Sequence, residues 1–348
     1  MKQKIKIAGA GLSGLCAAIN LAKAGYEVEV FEGQKSVGAA KNGDWQGLEN
    51  WTEAEDVLTR IQSCGLGLDF PFHPFYEMKF YTADLTLFSF KNKKPIFYLV
   101  KRGRDEGCLD YALKNQAERS GVKINYNQPL TEKQASIIAT SGRKPFALGV
   151  GLNFTTDLDD QIVAILSDDL APKGYAYLIV IGGQATIVSA LTVPYAGQAS
   201  RYFKNTFQTF QSLKSFSVKN EKKFAGVIYT GLKPTKDKIY TGEAGGFQDY
   251  FLGFGMYHAI RSGYLVSQAI RENISFNNLA KKELRPLVKA SLINRFIFER
   301  LGNKGYQIFL RQLHKKPDFT LSLNKLYTHT FSKIALLKKL TLYVQNKN

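Results

Sequence analysis

The apolar positions of this chain change period several times, and each change marks an element. Ile5-Lys6-Ile7-Ala8 reads as a short buried strand. Gly9-Ala10-Gly11-Leu12-Ser13-Gly14 follows, then a helical run from Leu15 to Ala24 that Gly25 is placed to end. Glu27 to Phe31 forms a second strand, closed by Glu32, so the chain opens on a compact β-α-β unit. Gly33 to Asn50, rich in Gly, Asn and Lys, reads as a loop. Thr52 to Cys64 has helical spacing at Ala54, Val57, Leu58 and Ile61, with Thr52 and Glu55 as a capping box.

From Phe72 to Val100 aromatic and β-branched residues alternate with polar ones. Turn signals at Ala83-Asp84 and at 92–95 make this an antiparallel meander. Asp105 to Ser120 returns to helix, stopped by Gly121, and strands follow at 122–126 and 136–140. Further strands are predicted at 146–155, 174–181 and 184–192, and a helix over 198–214. Ile239-Tyr240 feeds the Gly-rich segment 242–246, a helix runs over 255–273, and the last 75 residues are mostly helical. Parallel β-α-β and antiparallel segments interleave, so no single linker separates two layers.

Composition narrows the class. Three widely spaced cysteines in 348 residues exclude a disulfide-stapled module. An apolar content of 45% excludes a disordered chain. No stretch reaches the roughly 20 apolar residues of a membrane span. The net charge of +18 calls for an anionic partner: nucleic acid, a membrane surface or an acidic substrate.

The first motif is chemical. Gly9-x-Gly11-x-x-Gly14 lies between a strand and a helix, and Glu32 ends the next strand. Gly9 permits the tight turn, Gly11 lets a pyrophosphate approach, and Gly14 lets the helix pack closely. The helix N-terminus offers N–H groups to phosphate, and Glu32 can accept from a ribose 2′-hydroxyl. No second three-glycine fingerprint occurs, so one dinucleotide is expected near the N-terminus. The segment from Tyr240 to Gly263 favours FAD: a strand delivers Glu243, then a Gly-rich loop opens a helix near Gly255.

With these segments the chain resembles the geranylgeranyl reductase family, within the p-hydroxybenzoate-hydroxylase-like FAD-dependent oxidoreductases. The resemblance covers roughly residues 1–275. It implies that Glu243 takes the position of the usual Asp, and that Gly253, Phe254, Gly255 and Met256 lie at the flavin. Tyr98 to Gly103, followed by Leu109-Asp110, resembles the strand and helix that flank the cofactor, which makes Arg102 the expected cofactor-contacting cation. Residues 137–142 resemble the return to the FAD domain, so Thr140 and Gly142 join the site. With Gly9, Ala10, Gly11, Leu12, Ser13, Gly14, Phe31, Glu32 and Gly33 they complete the expected FAD contacts. Pro172-Lys-Gly-Tyr175-Ala-Tyr177 resembles the reductase motif Pro-x-x-Tyr-x-Trp, with Tyr177 where Trp is usual. The loop after the second strand lacks the cysteine that these reductases often carry.

The fold class expected is α/β: a Rossmann-type FAD-binding domain (1–70, 101–145, 235–275) interleaved with an antiparallel β-sheet substrate domain (71–100, 146–234), plus a basic helical C-terminal region (276–348). The four histidines have no ligand spacing, so no metal is expected. With no side chain assigned to catalysis, flavin N5 carries the chemistry and the protein binds and orients. Reduction of C=C bonds in an apolar, isoprenoid-like substrate leads. An FAD-dependent monooxygenase acting on an aromatic or lipid, and a non-catalytic flavin-binding module, stay open as alternatives. Asp44, Trp45, Tyr175 and Tyr177 are the expected substrate-lining residues. The aromatics of the meander line the same sheet face or simply fill the core.

From Leu279 onward 15 Lys and Arg stand against three acids. Apolar residues accompany them at helical spacing, among them Leu284, Leu287, Val288 and Leu292, then Ile334, Leu336, Leu337, Leu340 and Val344. Such helices either lie on an anionic membrane or pack on the FAD domain with solvated charges. No nucleic-acid motif accompanies the charge. Expected partners are therefore an apolar or lipid substrate, an external electron donor (NAD(P)H or a redox protein) and an anionic membrane surface. Met1 to Lys4 leaves no room for a signal peptide, which implies a cytoplasmic protein, peripheral on the inner face of the membrane if those helices bind it.

Overall fold

The computed structural model describes residues 4–142, 144–231 and 238–328. Parallel pairing is confined chiefly to the first sheet. β1 (Lys4–Ala8), α1 (Leu12–Lys23) and β2 (Glu27–Phe31) form the opening unit, and β1 pairs with β2 in register Lys4 to Glu27. α1 starts at Leu12, three residues earlier than the apolar run suggests. Gly11 is its N-cap in extended conformation, so the fingerprint itself supplies the first turn. β8 (Lys123–Asn125), β9 (Ile137–Ile138) and β15 (Ile239–Tyr240) complete the order β15-β9-β1-β2-β8. The chain moves outward from β1 through β2 and β8, then returns to β9 on the opposite side. That reversal puts a topological switch point between β1 and β9, where open α/β sheets bind ligands.

The segment expected as a loop over 33–50 contains β3 (Trp45–Glu49). Its partner is β7 (Phe97–Lys101), which also pairs with β4 (His73–Phe75). The expected meander therefore divides. β4 and β7 join β3 in a three-stranded sheet, while β5 (Glu77–Thr82) and β6 (Leu87–Lys91) form a hairpin at the end of a seven-stranded sheet. Period-2 patterning identifies strands but not their partners, and β3 lacks alternation because Trp45, Leu48 and Glu49 are all buried. α2 (Val57–Ser63) starts later than expected. Its cap is Asp56, whose carboxylate accepts from Leu58 N, rather than Thr52 with Glu55. α3 (Leu109–Arg119) lies within the expected helix.

The seven-stranded sheet has the order β14-β10-β13-β12-β11-β5-β6. β10 (Lys144–Thr155), β12 (Tyr175–Ile181) and β13 (Gln184–Thr192) answer the expected strands. β11 (Gln161–Leu166) and β14 (Lys219–Thr230) stand where no strand is predicted. β11 is apolar without alternation because both its faces are buried. β14 is an edge strand whose lysines obscure its pattern and discourage further pairing. α4 (Ala199–Leu213) covers one face of this sheet, with Phe210 against Phe154 and Ile187 in one core.

The C-terminal part comprises α6 (Phe276–Glu283), α7 (Arg285–Phe298), α8 (Gly302–His314) and α9 (Phe319–Tyr327), after α5 (Met256–Glu272). α8 and α9 pack on the sheet's other face: Phe90 lies 4.3 Å from Phe319 and 5.7 Å from His314, centroid to centroid. Several meander aromatics are thereby core residues. The C-terminal cations are not uniformly solvated: Arg295 is 7% exposed and paired with Glu299. The second apolar set, Ile334 to Val344, lies outside the described residues. No helix among the described residues is long and apolar enough to cross a membrane.

Candidate active site

The fingerprint loop and the end of β9 meet at the switch point. Gly9 has φ +99, and a Cβ there would lie 2.6 Å from Ala139 O. A Cβ on Gly14 would lie 2.1 Å from Gly9 O, so helix and turn are in van der Waals contact. Gly11 differs: its nearest neighbour would be Ala139 O at 3.9 Å, and the space above it is open. Gly9 N donates to Phe31 O at 2.8 Å, and no side chain caps α1. Glu32 faces the loop. Its Oε2 accepts from Ala10 N and its Oε1 from Gln34 N, each at 2.9 Å. Each oxygen retains a lone pair for a ribose hydroxyl. Gly33 lies at the exposed end of the same turn, and Thr140 N is close to Gly9. Among the predicted residues, Gly9 to Gly14, Phe31, Glu32 and Thr140 thus converge on one crevice.

The second glycine segment reaches the same crevice by helix packing. A Cβ on Gly263 of α5 would lie 2.2 Å from Ser13 O, so α5 crosses α1 at its first turn. Gly242, with φ +59, sits against Ser13 Oγ, and its N–H donates to Ser262 Oγ at 2.9 Å. The turn before α5 closes on itself. Asp249 N donates to Phe254 O at 2.8 Å, and Gly253 N to Asp249 O at 3.1 Å. Gly253 has φ +79, and Gly255 is the N-cap of α5 without a side-chain partner. Phe254 is turned from the crevice: its ring lies 5.0 Å from Trp51, and Gly47 has no Cβ in its way. Met256 is buried.

Three predicted residues, Arg102, Glu243 and Gly142, have other commitments. Arg102 is 7% exposed, and its Nε and Nη2 bind the Asp110 carboxylate at 2.7 and 2.8 Å. Burial works against both charges, but each partner holds the other ionised: Arg102 is raised and Asp110 lowered. Only Nη1 of Arg102 is left for a ligand. Glu243 spends Oε1 on Tyr229 N at 2.8 Å, and burial raises its carboxyl. It ties the end of β14 to the glycine segment. Gly142 serves the same junction, with Thr230 O 1.8 Å from where its Cβ would be.

The substrate-lining set divides. Tyr175 and Tyr177 lie side by side on β12, rings 5.8 Å apart, and the Tyr175 hydroxyl donates to Leu252 O. Burial raises both phenols, Tyr175 further by Asp249 and Tyr177 further by Tyr175 and Asp44. Tyr175 and Gly253 share an apolar cavity of about 40 Å³. Trp45 lines a different, more polar cavity of about 210 Å³ with Asn42, Gln184, Thr186 and Lys222. Its ring is 6% exposed, edge-on to His73 and beneath Lys101, so it is no exposed loop residue. Asp44 is buried and accepts from Gln46 Nε2 at 2.7 Å.

Sequence reasoning missed Lys41, Asp249 and Tyr327. Lys41 stands among Arg102, Asp110, Glu243 and Asp44, and burial, then Arg102, lowers its ammonium. Its side chain still meets solvent. Asp249 holds the Gly253 turn, accepting from Phe251 N at 2.9 Å, Leu252 N at 3.2 Å and the Tyr327 hydroxyl at 2.8 Å. Burial pushes its carboxyl up to about 6, against those hydrogen bonds. Behind the turn, Glu49 and His258 are each 1% exposed and 3.6 Å apart. Gly-Phe-Gln-Asp249 in a Gly-rich turn was the available signal for Asp249. Tyr327 had none, because its contact spans 78 residues.

The architecture is a Rossmann-type parallel sheet joined to separate antiparallel sheets and C-terminal helices, the fold seen in FAD-dependent oxidoreductases. Residues 7–46 match the model of the NAD(P)-binding Rossmann-like domain. A geranylgeranyl bacteriochlorophyll reductase-like protein from Thermoplasma acidophilum superposes with TM-score 0.74 at 16% identity, over 98% of this chain and 100% of its own. A flavoprotein/dehydrogenase from Cytophaga hutchinsonii gives 0.63 at 16% identity, over 93% and 92%. A probable FAD-dependent monooxygenase from Pseudomonas aeruginosa gives 0.59 at 13% identity, over 88% and 100%. No curated protein matches by sequence. The expected fold class is therefore the one observed, and reductases and monooxygenases share it.

Proposed function

We propose that the protein binds FAD at the β1/β9 crevice and reduces C=C bonds of an apolar substrate seated beside Tyr175 and Gly253. The observation that carries the reading is the open space above Gly11, framed by close packing at Gly9 and Gly14, beside the uncapped start of α1. A pyrophosphate fits there because bare N–H groups and the helix dipole favour an anion. FAD, when bound, supplies hydride chemistry. The chain's own part is to hold it: Glu32 on the ribose, α1 on the phosphates, and the start of α5 at the electron-rich end of the ring. An uncapped helix N-terminus favours negative charge there. The apolar walls of the Tyr175 cavity suit the reacting C=C end of an alkene better than a polar group, which favours the reductase.

Purified protein should carry flavin. Anaerobic reoxidation of the photoreduced flavin by an apolar alkene is the expected result. Oxygen-dependent NAD(P)H consumption on adding substrate, without such reoxidation, would instead establish the monooxygenase, and no reoxidation by any acceptor a binding module. Glu32→Ala removes the ribose acceptor and the partner of Ala10 N. Losing hydrogen bonds to a carboxylate, worth about 1.5–3 kcal/mol each, should cut FAD affinity about tenfold or more. Equilibrium dialysis showing unchanged affinity would contradict the assignment.

A further inference from the structure

Arg295 lies in the wall of the Tyr175 cavity, beside Phe146, Leu191, Ile228 and Gly253. It comes from α7, far in sequence from both glycine segments. Its Nε binds Glu299 at 2.9 Å, its Nη1 reaches Phe251 O at 3.5 Å, and the guanidinium lies 5.5 Å from the Phe146 ring centre. Nη2 is buried and has no hydrogen-bond partner among the described residues. A buried N–H of a cation without an acceptor is destabilising, so such a group marks a place where an acceptor belongs.

Charge decides which acceptor. Glu299 already balances Arg295. Asp249 also lines the cavity, and its carboxyl is occupied by two backbone N–H groups and Tyr327. An anionic ligand would face two carboxyl groups across one cation. A neutral oxygen would not. The remaining walls are apolar. We propose that Arg295 anchors a carbonyl oxygen on an otherwise apolar substrate, which makes that substrate an alkene conjugated to a carbonyl rather than an isolated one. This deepens the reductase reading and rests on it. FAD, once bound and reduced, would supply a hydride to the β-carbon, and the C=C electron pair would then move onto the carbonyl oxygen. Nη2 is placed to hold that charge, and water protonates the α-carbon.

The test uses the FAD-loaded protein with 2-octanone, 1-octene and octanoate. The ketone should bind about ten- to a hundredfold more tightly than the alkene, as expected for one hydrogen bond from a charged donor. Its infrared C=O stretch should shift down on binding. Arg295→Met should abolish both the preference and the shift, and Arg295→Lys should restore part of each. Glu299→Gln, at a side chain 26% exposed, should let octanoate bind at least about tenfold more tightly than it does to the native protein. That arm stands alone should Arg295→Met fail to fold. Equal binding of ketone and alkene, an unmoved C=O stretch, native preference for octanoate, or no gain of octanoate in Glu299→Gln overturns the assignment. Protein that purifies without flavin, and takes up none, would sink the cofactor reading, while the ketone shift in that same protein would still report on Arg295.

Discussion

A Gly11→Val protein is expected to fold normally and to hold less than about a tenth of the native flavin. The two halves of that expectation have separate causes. Gly11 has an ordinary extended backbone, φ −75 and ψ 178, and a Cβ meets nothing closer than 3.9 Å. Valine is therefore accommodated by the chain. Its methyl groups enter the space left for the pyrophosphate. Gly14→Val makes the contrast, because its Cβ would lie 2.1 Å from Gly9 O and must push the helix off the turn. Overpacking of this kind costs about 1–3 kcal/mol or more, so Gly14→Val should lower the melting temperature as well as the flavin content. Flavin absorbance per chain and thermal melting separate the two. A fully loaded Gly11→Val protein would place the nucleotide elsewhere.

The crevice was legible in the sequence because it is built from local rules. A strand, three glycines at fixed spacing and a terminal acid are neighbours in the chain, and the β-α-β connection can close only one way. The second segment was legible for a related reason: Gly242 and Gly253 announce turns whose left-handed backbone favours glycine. The other contacts were less accessible. β3 carries no alternation because Trp45, Leu48 and Glu49 are all buried, and its pairing with β7 crosses some 50 residues. Arg102 was read as a cation for the cofactor, yet the carboxylate eight residues onward takes two of its nitrogens. Pattern identifies a charge, whereas only tertiary structure says what that charge already holds. The C-terminal helices make the same point. Their lysines and arginines read as a surface, but Tyr327, Ser291 and Arg295 reach inward to Asp249, Tyr250 N and Phe251 O, clamping the turn ahead of α5. A region that composition assigns to partners thus also positions the site.

Asp110→Ala is expected to destabilise the protein by about 3–5 kcal/mol, the cost of leaving one member of a buried ion pair alone. The pair qualifies: the side chains of Arg102 and Asp110 are 9% and 4% exposed, with two short hydrogen bonds and a third from Gly103 N. Such a loss is a large fraction of the roughly 5–15 kcal/mol that keeps a domain folded. It also has a pH signature. The Arg102 charge and the hydrogen bonds hold the folded Asp110 carboxyl below its ordinary value, overcoming burial, which acts the other way. The unfolded chain has the ordinary value of about 3.9. The stabilisation is then fully present above about pH 3.9 and disappears as the pH falls through the lower, folded value. Urea unfolding midpoints of the native protein should therefore fall on that acid limb, and those of Asp110→Ala should lack this component. Replacing both partners, Arg102→Met with Asp110→Leu, should recover much of the stability at neutral pH, because an apolar pair of similar size needs no compensation. If the double variant were no more stable than Asp110→Ala, the single loss would stem from packing rather than from the stranded charge. Flavin retention in the double variant separates two roles for the arginine: a loaded double variant assigns Arg102 to the scaffold, and an unloaded one to the cofactor.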